Sequence, residues 1–496
     1  MSHTLSAPAA VGVIGAGTMG AGIAQVAAAA GHRVYLTDAR EGAAAASRER
    51  IATALASLVA KGKLEAAAAD ATVARIQVVN SLSDMADAAL VVEAIIEDLH
   101  AKQALMRELE QHVSPQAVLA TNTSSISVTA IANGLQHPPR MVGMHFFNPV
   151  PLMKLVEVVS GAETSAEVAD AIAALARAWG KTAVKAASTP GFIVNRIARP
   201  FYAEALQLLQ EQAGTPAQLD RAMRGAGFRM GPCELMDLIG HDVNYSVTCS
   251  VFDANYGDKR FQPSLVQKAL VDGGRLGRKV GKGFYEGPPV PLADAVAQAE
   301  AAAVTLMGDD PLADRLAAML DARGISAGRD SAAGWSGLRI GDVAVHLCDG
   351  RSAAQLAHEL GEPNLAVIDL PLSLNADALA LAYAPRVAEA DRQQVEATLI
   401  ACGLQAIVLR DVPGLLVART VAMLVNEASD AVWQGVCSEE AADLAMTLGV
   451  NYPMGPFAWL KQIGVQRVTG LLGHLFDAYR SERYRISPML RQMLWN

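Results

Sequence analysis

Val11-Gly12-Val13-Ile14-Gly15-Ala16-Gly17-Thr18-Met19-Gly20 decides the fold of this 496-residue chain. Val11–Ile14 reads as a short buried strand, and a glycine-rich turn follows at once. The next run, AGIAQVAAAAG, reads as a helix, Arg33–Thr37 as a second strand, and Asp38 as an acid at its end. Strand, turn, helix, strand and acid in this register predict a dinucleotide-binding α/β fold. Gly15 permits the tight turn, Gly17 lets backbone approach a pyrophosphate, and Gly20 allows close helix–strand packing. Met19 belongs to the same cofactor-binding loop, and the helix N-terminus faces the phosphates. Asp38 is placed to accept from the adenine-ribose hydroxyls, which favours NAD. Arg40 keeps NADP open as the lesser alternative.

Ala88–Ile95 (AALVVEAI) is a continuous apolar run of the kind that parallel sheets bury. Glu97 and Lys102 follow it, at the carboxyl edge where cofactors bind. Ala117–Ala120 predicts another strand, leading into Asn122-Thr123-Ser124-Ser125. Ser124 and Ser125 read equally well as site residues or as helix caps.

Met144–Gly161, MHFFNPVPLMKLVEVVSG, places His145 and Glu157 symmetrically about Pro151. If the flanking apolar runs are strands folded back at the proline-rich turn, the two residues oppose each other, with Cβ atoms roughly 5 Å apart. A carboxylate at that distance holds an imidazole in one tautomer and stabilises it once protonated. The competing reading is a core histidine beside an unrelated edge charge.

The chain is too long for one core. Its 52% hydrophobic content and mean hydropathy of +0.23 describe a globular protein. Forty-one basic and 50 acidic residues give a net charge of −9, which argues against nucleic-acid or anionic-membrane binding. Five scattered cysteines form no metal-ligand cluster, so no metal and no disulfide is expected, in keeping with a cytoplasmic location. The stretch from Ser6 to His32 is long and uncharged enough to imitate a membrane span, but five glycines crowd its first half. MSHTLSAPAA lacks the basic start of a signal peptide. Only ten residues precede the first strand, which leaves no room for a fused hydratase.

Between Glu41 and Ala74, two alanine-rich helices flank Lys61-Gly62-Lys63. The basic tip of this hairpin suits the phosphates of a second, long anionic ligand, although a solvated turn explains each lysine equally well. From Ser188, STPGFIVNRIARPFYAEALQLLQE reads as one long helix entered through Pro190-Gly191. Pro190–Arg196 (PGFIVNR) returns as Pro413–Arg419 (PGLLVAR) at an offset of 223, kept by Glu204/Glu427 and Asp220/Asp443. The helical module therefore occurs twice. Copy one carries Asn195 where copy two carries Ala418, so the fold does not require the asparagine, and a functional role is favoured. Leu365–Leu370 and Gln405–Leu409 read as strands of a truncated α/β unit without a glycine-rich turn, so no second cofactor is expected. The predicted organisation is an N-terminal Rossmann-type α/β domain with an inserted hairpin (1–187) and a first all-α module (188–287). A linker with a short degenerate α/β segment (288–410) and a second all-α module (411–496) complete it.

GAGTMGAGIAQ, VVEAIIED, TNTSSISVT, MHFFNPVPLMKLVEVV and STPGFIVNR together resemble the L-3-hydroxyacyl-CoA dehydrogenases in order and spacing. The resemblance covers residues 10–287 and, as a duplicated module, 411–495. It implies NAD-dependent oxidation of an L-3-hydroxyacyl-CoA to the 3-oxoacyl-CoA, with His145 as general base and Glu157 as its partner. It further implies Ser124 and Asn195 on the substrate, and Asp38, Glu97, Lys102, Asn122 and Asn148 at the cofactor. CoA contacts fall at the hairpin of Lys61 and Lys63. The two-module length resembles the bacterial dehydrogenases of phenylacetate catabolism, which act on 3-hydroxyadipyl-CoA; 3-hydroxybutyryl-CoA and general fatty-acid substrates are the alternatives. A non-catalytic NAD-binding protein on the same scaffold is the rival of another class. In the family the helical domain forms the subunit interface, so either a homodimer or an intramolecular pseudo-dimer of the two modules is expected.

Overall fold

The computed structural model describes residues 5, 7–289, 292–293 and 296–495. The chain divides into two compact units, Met1–Arg196 with Gln434–Val450, and Ile197–Trp433 with Asn451–Asn496.

The first unit holds an eight-stranded sheet. Its strands are β1 (Ala10–Ile14), β2 (Val34–Thr37), β3 (Ile76–Val78), β4 (Ala88–Glu93), β5 (Val118–Thr121), β6 (Met141–Phe146), β7 (Leu155–Ser160) and β8 (Thr182–Ala187). They lie in the order β3-β2-β1-β4-β5-β6-β7-β8. The first six run parallel, and β7 and β8 run opposite to them. Every residue of β1, β2, β5 and β6 is buried, as expected of strands covered on both faces. Helices Thr18–Ala29 and Ala166–Ala178 supply much of that cover, the second through Val168, Ile172 and Leu175. Beside them stands the hairpin of helices Ala43–Ala60 and Ala66–Ala74. A segment from far down the chain completes this unit. Helix Glu439–Gly449 packs on β7 and β8, so closely that a Cβ on Gly449 would lie 2.7 Å from the Leu155 side chain. The Ala187 N–H of β8 donates to the Val436 carbonyl at 2.8 Å.

The second unit contains a mixed seven-stranded sheet where two strands are read from sequence. It comprises β9 (Val304–Met307), β10 (Gly328–Asp330), β11 (Gly337–Ile340), β12 (Val343–Leu347), β13 (Leu365–Ile368), β14 (Ala378–Tyr383) and β15 (Gln405–Val408), in the order β10-β9-β11-β12-β13-β14-β15. Strands β12–β15 repeat the pairing of β5–β8: parallel, antiparallel, parallel. The offset of 223 holds here too, taking Leu155–Ser160 to Ala378–Tyr383 and helix Ala166–Ala178 to Glu389–Ala401. Helix Pro216–Gly225 packs on β14, and a Cβ on Gly225 would lie 2.1 Å from the Ala378 carbonyl oxygen. Each helical module therefore lends one helix, Glu439–Gly449 or Pro216–Gly225, to the sheet that precedes the other module.

Within the second unit the modules grip one another reciprocally. Arg260 of the first pairs with Glu427 of the second at 3.0 Å, and Arg483 of the second with Glu204 of the first at 2.8 Å. Both the arginines and the glutamates are 223 residues apart, the self-complementary pattern of a two-fold interface. One expectation is corrected. The long helix entered at Pro190-Gly191 is two helices, Val194–Ile197 and Arg199–Gln210, interrupted at Ala198. Pro200 explains the break, because it has no N–H to donate and its ring crowds the carbonyl one turn back. Its counterpart in copy two is Met423, and there Val417–Trp433 runs uninterrupted.

Candidate active site

The site of the first unit begins at the glycine-rich turn. Gly15 has φ +99°, and a Cβ there would lie 2.4 Å from the Ala94 carbonyl oxygen. A Cβ on Gly20 would lie 1.7 Å from the Gly15 oxygen, so its glycine keeps the loop against the helix. Gly17 faces open space and is the N-cap of helix Thr18–Ala29, with no side chain bonded to the helix end. Its first N–H groups are thus left to an anion. A cavity of about 500 Å³ opens here, lined by Gly17, Thr18, Arg40, Arg50 and Asn148 among others.

Asp38 follows β2 beside this loop. Its Oδ2 accepts the Ala16 N–H at 2.7 Å, and its Oδ1 accepts the Arg40 N–H at 2.9 Å. Burial pushes the carboxyl up, but the hydrogen bonds from Arg40 and Ala16 outweigh it and hold it below its ordinary value. Arg40 turns its guanidinium back onto Asp38, 3.2 Å away. The carboxylate therefore dominates the end of β2, as a free ribose diol requires. Loop, uncapped helix and acid all fit NAD.

Next along the sheet edge is a polar network that sequence had only half revealed. Glu93, the last residue of β4, is fully buried and accepts from Thr121 Oγ1 at 2.6 Å, the Ile95 N–H at 2.7 Å and Lys102 Nζ at 2.7 Å. An acid closing an apolar strand was the available signal, and Glu93 was not singled out. Lys102 is 1% exposed and also reaches Glu97 at 3.2 Å. Glu97 Oε1 accepts from Thr123 Oγ1 at 2.7 Å and from the N–H groups of Ser124 and Ser125 at 2.9 and 3.1 Å. Burial raises the Glu97 carboxyl, yet these donors and Lys102 bring it below its usual range. Asn122 Oδ1 accepts the Phe146 N–H at 2.9 Å and ties this loop to β6.

His145 of β6 lies directly opposite Glu157 of β7. Its Nδ1 is 2.6 Å from Glu157 Oε2, with the glutamate fully buried and the histidine nearly so. Phe147 and Phe192 stand against the imidazole at 4.6 and 5.8 Å between ring centres. Asn195 comes to the same neighbourhood, its Nδ2 3.4 Å from the Ser124 carbonyl oxygen. The structure thus gathers Ser124, Asn122, Glu97 and Lys102 into one network, sets His145 on Glu157, and brings Asn195 to Ser124. Lys61 and Lys63 stay apart, exposed at the turn of the helical hairpin.

The NAD-binding-domain model of the 3-hydroxyacyl-CoA dehydrogenases matches residues 10–189, and their C-terminal-domain model matches 191–287 and again 414–496. The chain belongs to the 3-hydroxyacyl-CoA dehydrogenase family. Residues 345–413, which carry β13, β14, β15 and most of β12, match the reduced Rossmann-fold domain of 3-hydroxybutyryl-CoA dehydrogenase. The chain is 45% identical over 483 residues to the 3-hydroxyadipyl-CoA dehydrogenase of Escherichia coli K12, covering 97% of this chain and 96% of that one. A crystal structure described as 3-hydroxybutyryl-CoA dehydrogenase from Escherichia coli K12 superposes with a TM-score of 0.88 at 44% identity, covering 98% of each chain. Pig mitochondrial hydroxyacyl-coenzyme A dehydrogenase is 40% identical over 285 residues, 56% of this chain and 90% of its own. As a member of this family the protein is an NAD-dependent 3-hydroxyacyl-CoA dehydrogenase. Among the described residues no helix is long and apolar enough to cross a membrane.

Proposed function

We propose that this dehydrogenase oxidises the C3 hydroxyl of 3-hydroxyadipyl-CoA, with His145 as general base. The observation that carries the catalytic assignment is the buried 2.6 Å contact between His145 Nδ1 and Glu157 Oε2. Donation from Nδ1 to the carboxylate leaves Nε2 with its lone pair, so Nε2 takes the hydroxyl proton. Glu157 then stabilises the imidazolium in a site where little water competes. General-base assistance of this kind contributes about 10²–10⁴-fold. Ser124 and Asn195 hydrogen-bond the C3 oxygen as it becomes a carbonyl, and their dipoles stabilise the developing charge. NAD+, when bound, accepts the hydride from C3. Gly15, Gly17, Met19, Gly20, Asp38, Glu97, Lys102, Asn122 and Asn148 form its cradle, and Lys61 and Lys63 meet the phosphates of CoA.

Glu157→Gln tests the dyad. Its amide donates to Nδ1 and forces the proton onto Nε2, so kcat falls while NAD affinity stays; wild-type kcat in this variant refutes the assignment. The same variant separates an enzyme from a non-catalytic NAD-binding protein, which has no turnover to lose.

The 3-hydroxyadipyl substrate rests on the near full-length similarity to the Escherichia coli enzyme of that name. A 3-hydroxybutyryl substrate is the second reading, favoured by the description of the superposable crystal structure. Comparing kcat/KM for the two thioesters decides between them. We further propose the domain division at 187, 287 and 410, a cytoplasmic location in phenylacetate catabolism, and a chain in which the second helical module stands where a second subunit's module would. The reciprocal Arg260–Glu427 and Arg483–Glu204 pairs support that last assignment.

A further inference from the structure

Glu157 has a second oxygen, and it is not idle. While Oε2 faces His145, Oε1 accepts the N–H groups of Ile193 and Val194 at 3.0 and 2.9 Å. Those amides open the short helix Val194–Ile197, which carries Asn195. The chain reaches them through two successive left-handed residues, Gly191 at φ +77° and Phe192 at φ +47°. A phenylalanine with positive φ is costly and persists only where its surroundings demand it.

The second copy repeats the docked turn without the histidine. Gly414 and Leu415 are left-handed at φ +79° and +43°. Leu416 and Val417, 223 residues beyond Ile193 and Val194, donate their N–H groups to Asp369 Oδ2 at 3.1 and 2.6 Å, and Ala418 donates to Oδ1 at 2.7 Å. Asp369 continues β13, and its N–H bonds to the Ala380 carbonyl at 2.9 Å. The β13–β14 hairpin pairs Ile368 with Leu381, so the next pair is Asp369 with Ala380. Ala380 lies 223 residues after Glu157 on the matching strand, which puts Asp369 where His145 stands. The carboxylate has crossed the hairpin, and what it preserves is its bond to the helix.

We propose that Glu157 is a positioning residue with two separable duties, setting the imidazole of His145 and docking the helix turn that carries Asn195, and that Asp369–Ala380 is the same hairpin site reduced to the docking duty alone. One carboxylate thus registers the general base against the residue that meets the substrate oxygen. The link to catalysis rests on the assignment proposed above; the docking duty does not.

Three variants test this in the full chain. Glu157→Ala, which loses both duties, should lower the unfolding temperature. His145→Asp combined with Glu157→Ala copies the Asp369–Ala380 arrangement and should recover most of that loss, while remaining inactive. A double variant that unfolds no later than Glu157→Ala overturns the docking duty. For the link to Asn195, kcat/KM is compared with and without Asn195→Ala in three backgrounds. In wild type and in Glu157→Gln, whose oxygen still accepts the amides, the loss should be the same, on the order of ten- to a hundredfold for a hydrogen bond to developing charge. In Glu157→Ala it should be far smaller, because Asn195 is no longer held. Equal losses in all three backgrounds overturn the link. Recovered stability together with undiminished turnover of Glu157→Gln leaves docking standing and rejects the dyad.

Discussion

Lys102 closes on Glu93 at 2.7 Å in a place where neither side chain meets solvent. Such a pair holds only as a pair, because removing one partner strands the other charge in a medium of low polarity. Lys102→Met should therefore cost about 3–5 kcal/mol of stability by denaturant unfolding. Weaker NAD binding should accompany it, since Lys102 also anchors Glu97 beneath the Ser124–Ser125 loop. Pairing Lys102→Met with Glu93→Leu should return much of the stability. A double variant no better than the single one shows that the charge was not what mattered.

The glycines of the turn should part company under substitution. At Gly20 a methyl group meets the Gly15 oxygen, so Gly20→Ala must move the loop, lowering both the unfolding temperature and NAD affinity. At Gly17 a methyl group meets nothing in the protein, so Gly17→Ala should leave unfolding almost unchanged and weaken only NAD. Thermal melting beside NAD titration distinguishes the two. Equal damage to folding from both variants refutes the division of labour.

Asp369 gives the second unit a pH signature. Burial raises its carboxyl to about 6, although four backbone N–H groups pull the other way. An unfolded aspartate titrates near roughly 3.9, so the folded state holds this proton more tightly. The neutral form's advantage is full below the unfolded value and is lost as pH rises through about 6. Asp369→Asn is neutral throughout. Wild type should therefore lead Asp369→Asn by more at pH 5 than at pH 7 in unfolding temperature. A lead that is constant or grows with pH contradicts this.

Residues 1–287 hold the NAD-binding domain and the first helical module, yet they omit helix Glu439–Gly449, which covers β7 and β8. Expressed alone, this fragment should associate in pairs, each copy supplying helix Pro216–Gly225 to the other's uncovered sheet. Sedimentation gives the mass directly. A monomeric, soluble and active fragment counts against the pseudo-dimer.

The Rossmann-type sheet was legible at its centre, where strands are buried on both faces and written as apolar runs; β1 and β4 need no context to be read. The His145–Glu157 register was legible because Pro151 marks the turn midway between them. The second sheet was legible only at β13 and β15. Strand β10 (Gly-Arg-Asp) is three exposed residues, and β11 opens on a glycine, so neither shows an apolar run or an alternation long enough to count. Asp369 sat in plain view at the end of LAVID, as Glu93 did at the end of LVVE, but an acid closing a strand reads as a loop residue until its partners are known. Asp369 is held by the amides of Leu416, Val417 and Ala418, and Glu93 by the side chains of Thr121 and Lys102, partners that no local pattern encodes. The break before Pro200 is written only in the proline itself, because the helical pattern continues on both sides of it.

The placement of helix Glu439–Gly449 has one more consequence. In an enzyme that borrows this cover from a second subunit, dilution below the dissociation constant strips the sheet bare, and activity falls with concentration. Here the cover is tethered to the strand it protects, so its effective concentration is set by the chain and not by the solution. The specific activity of this dehydrogenase should hold constant down to the most dilute assay, where a two-subunit relative of the same design falls away.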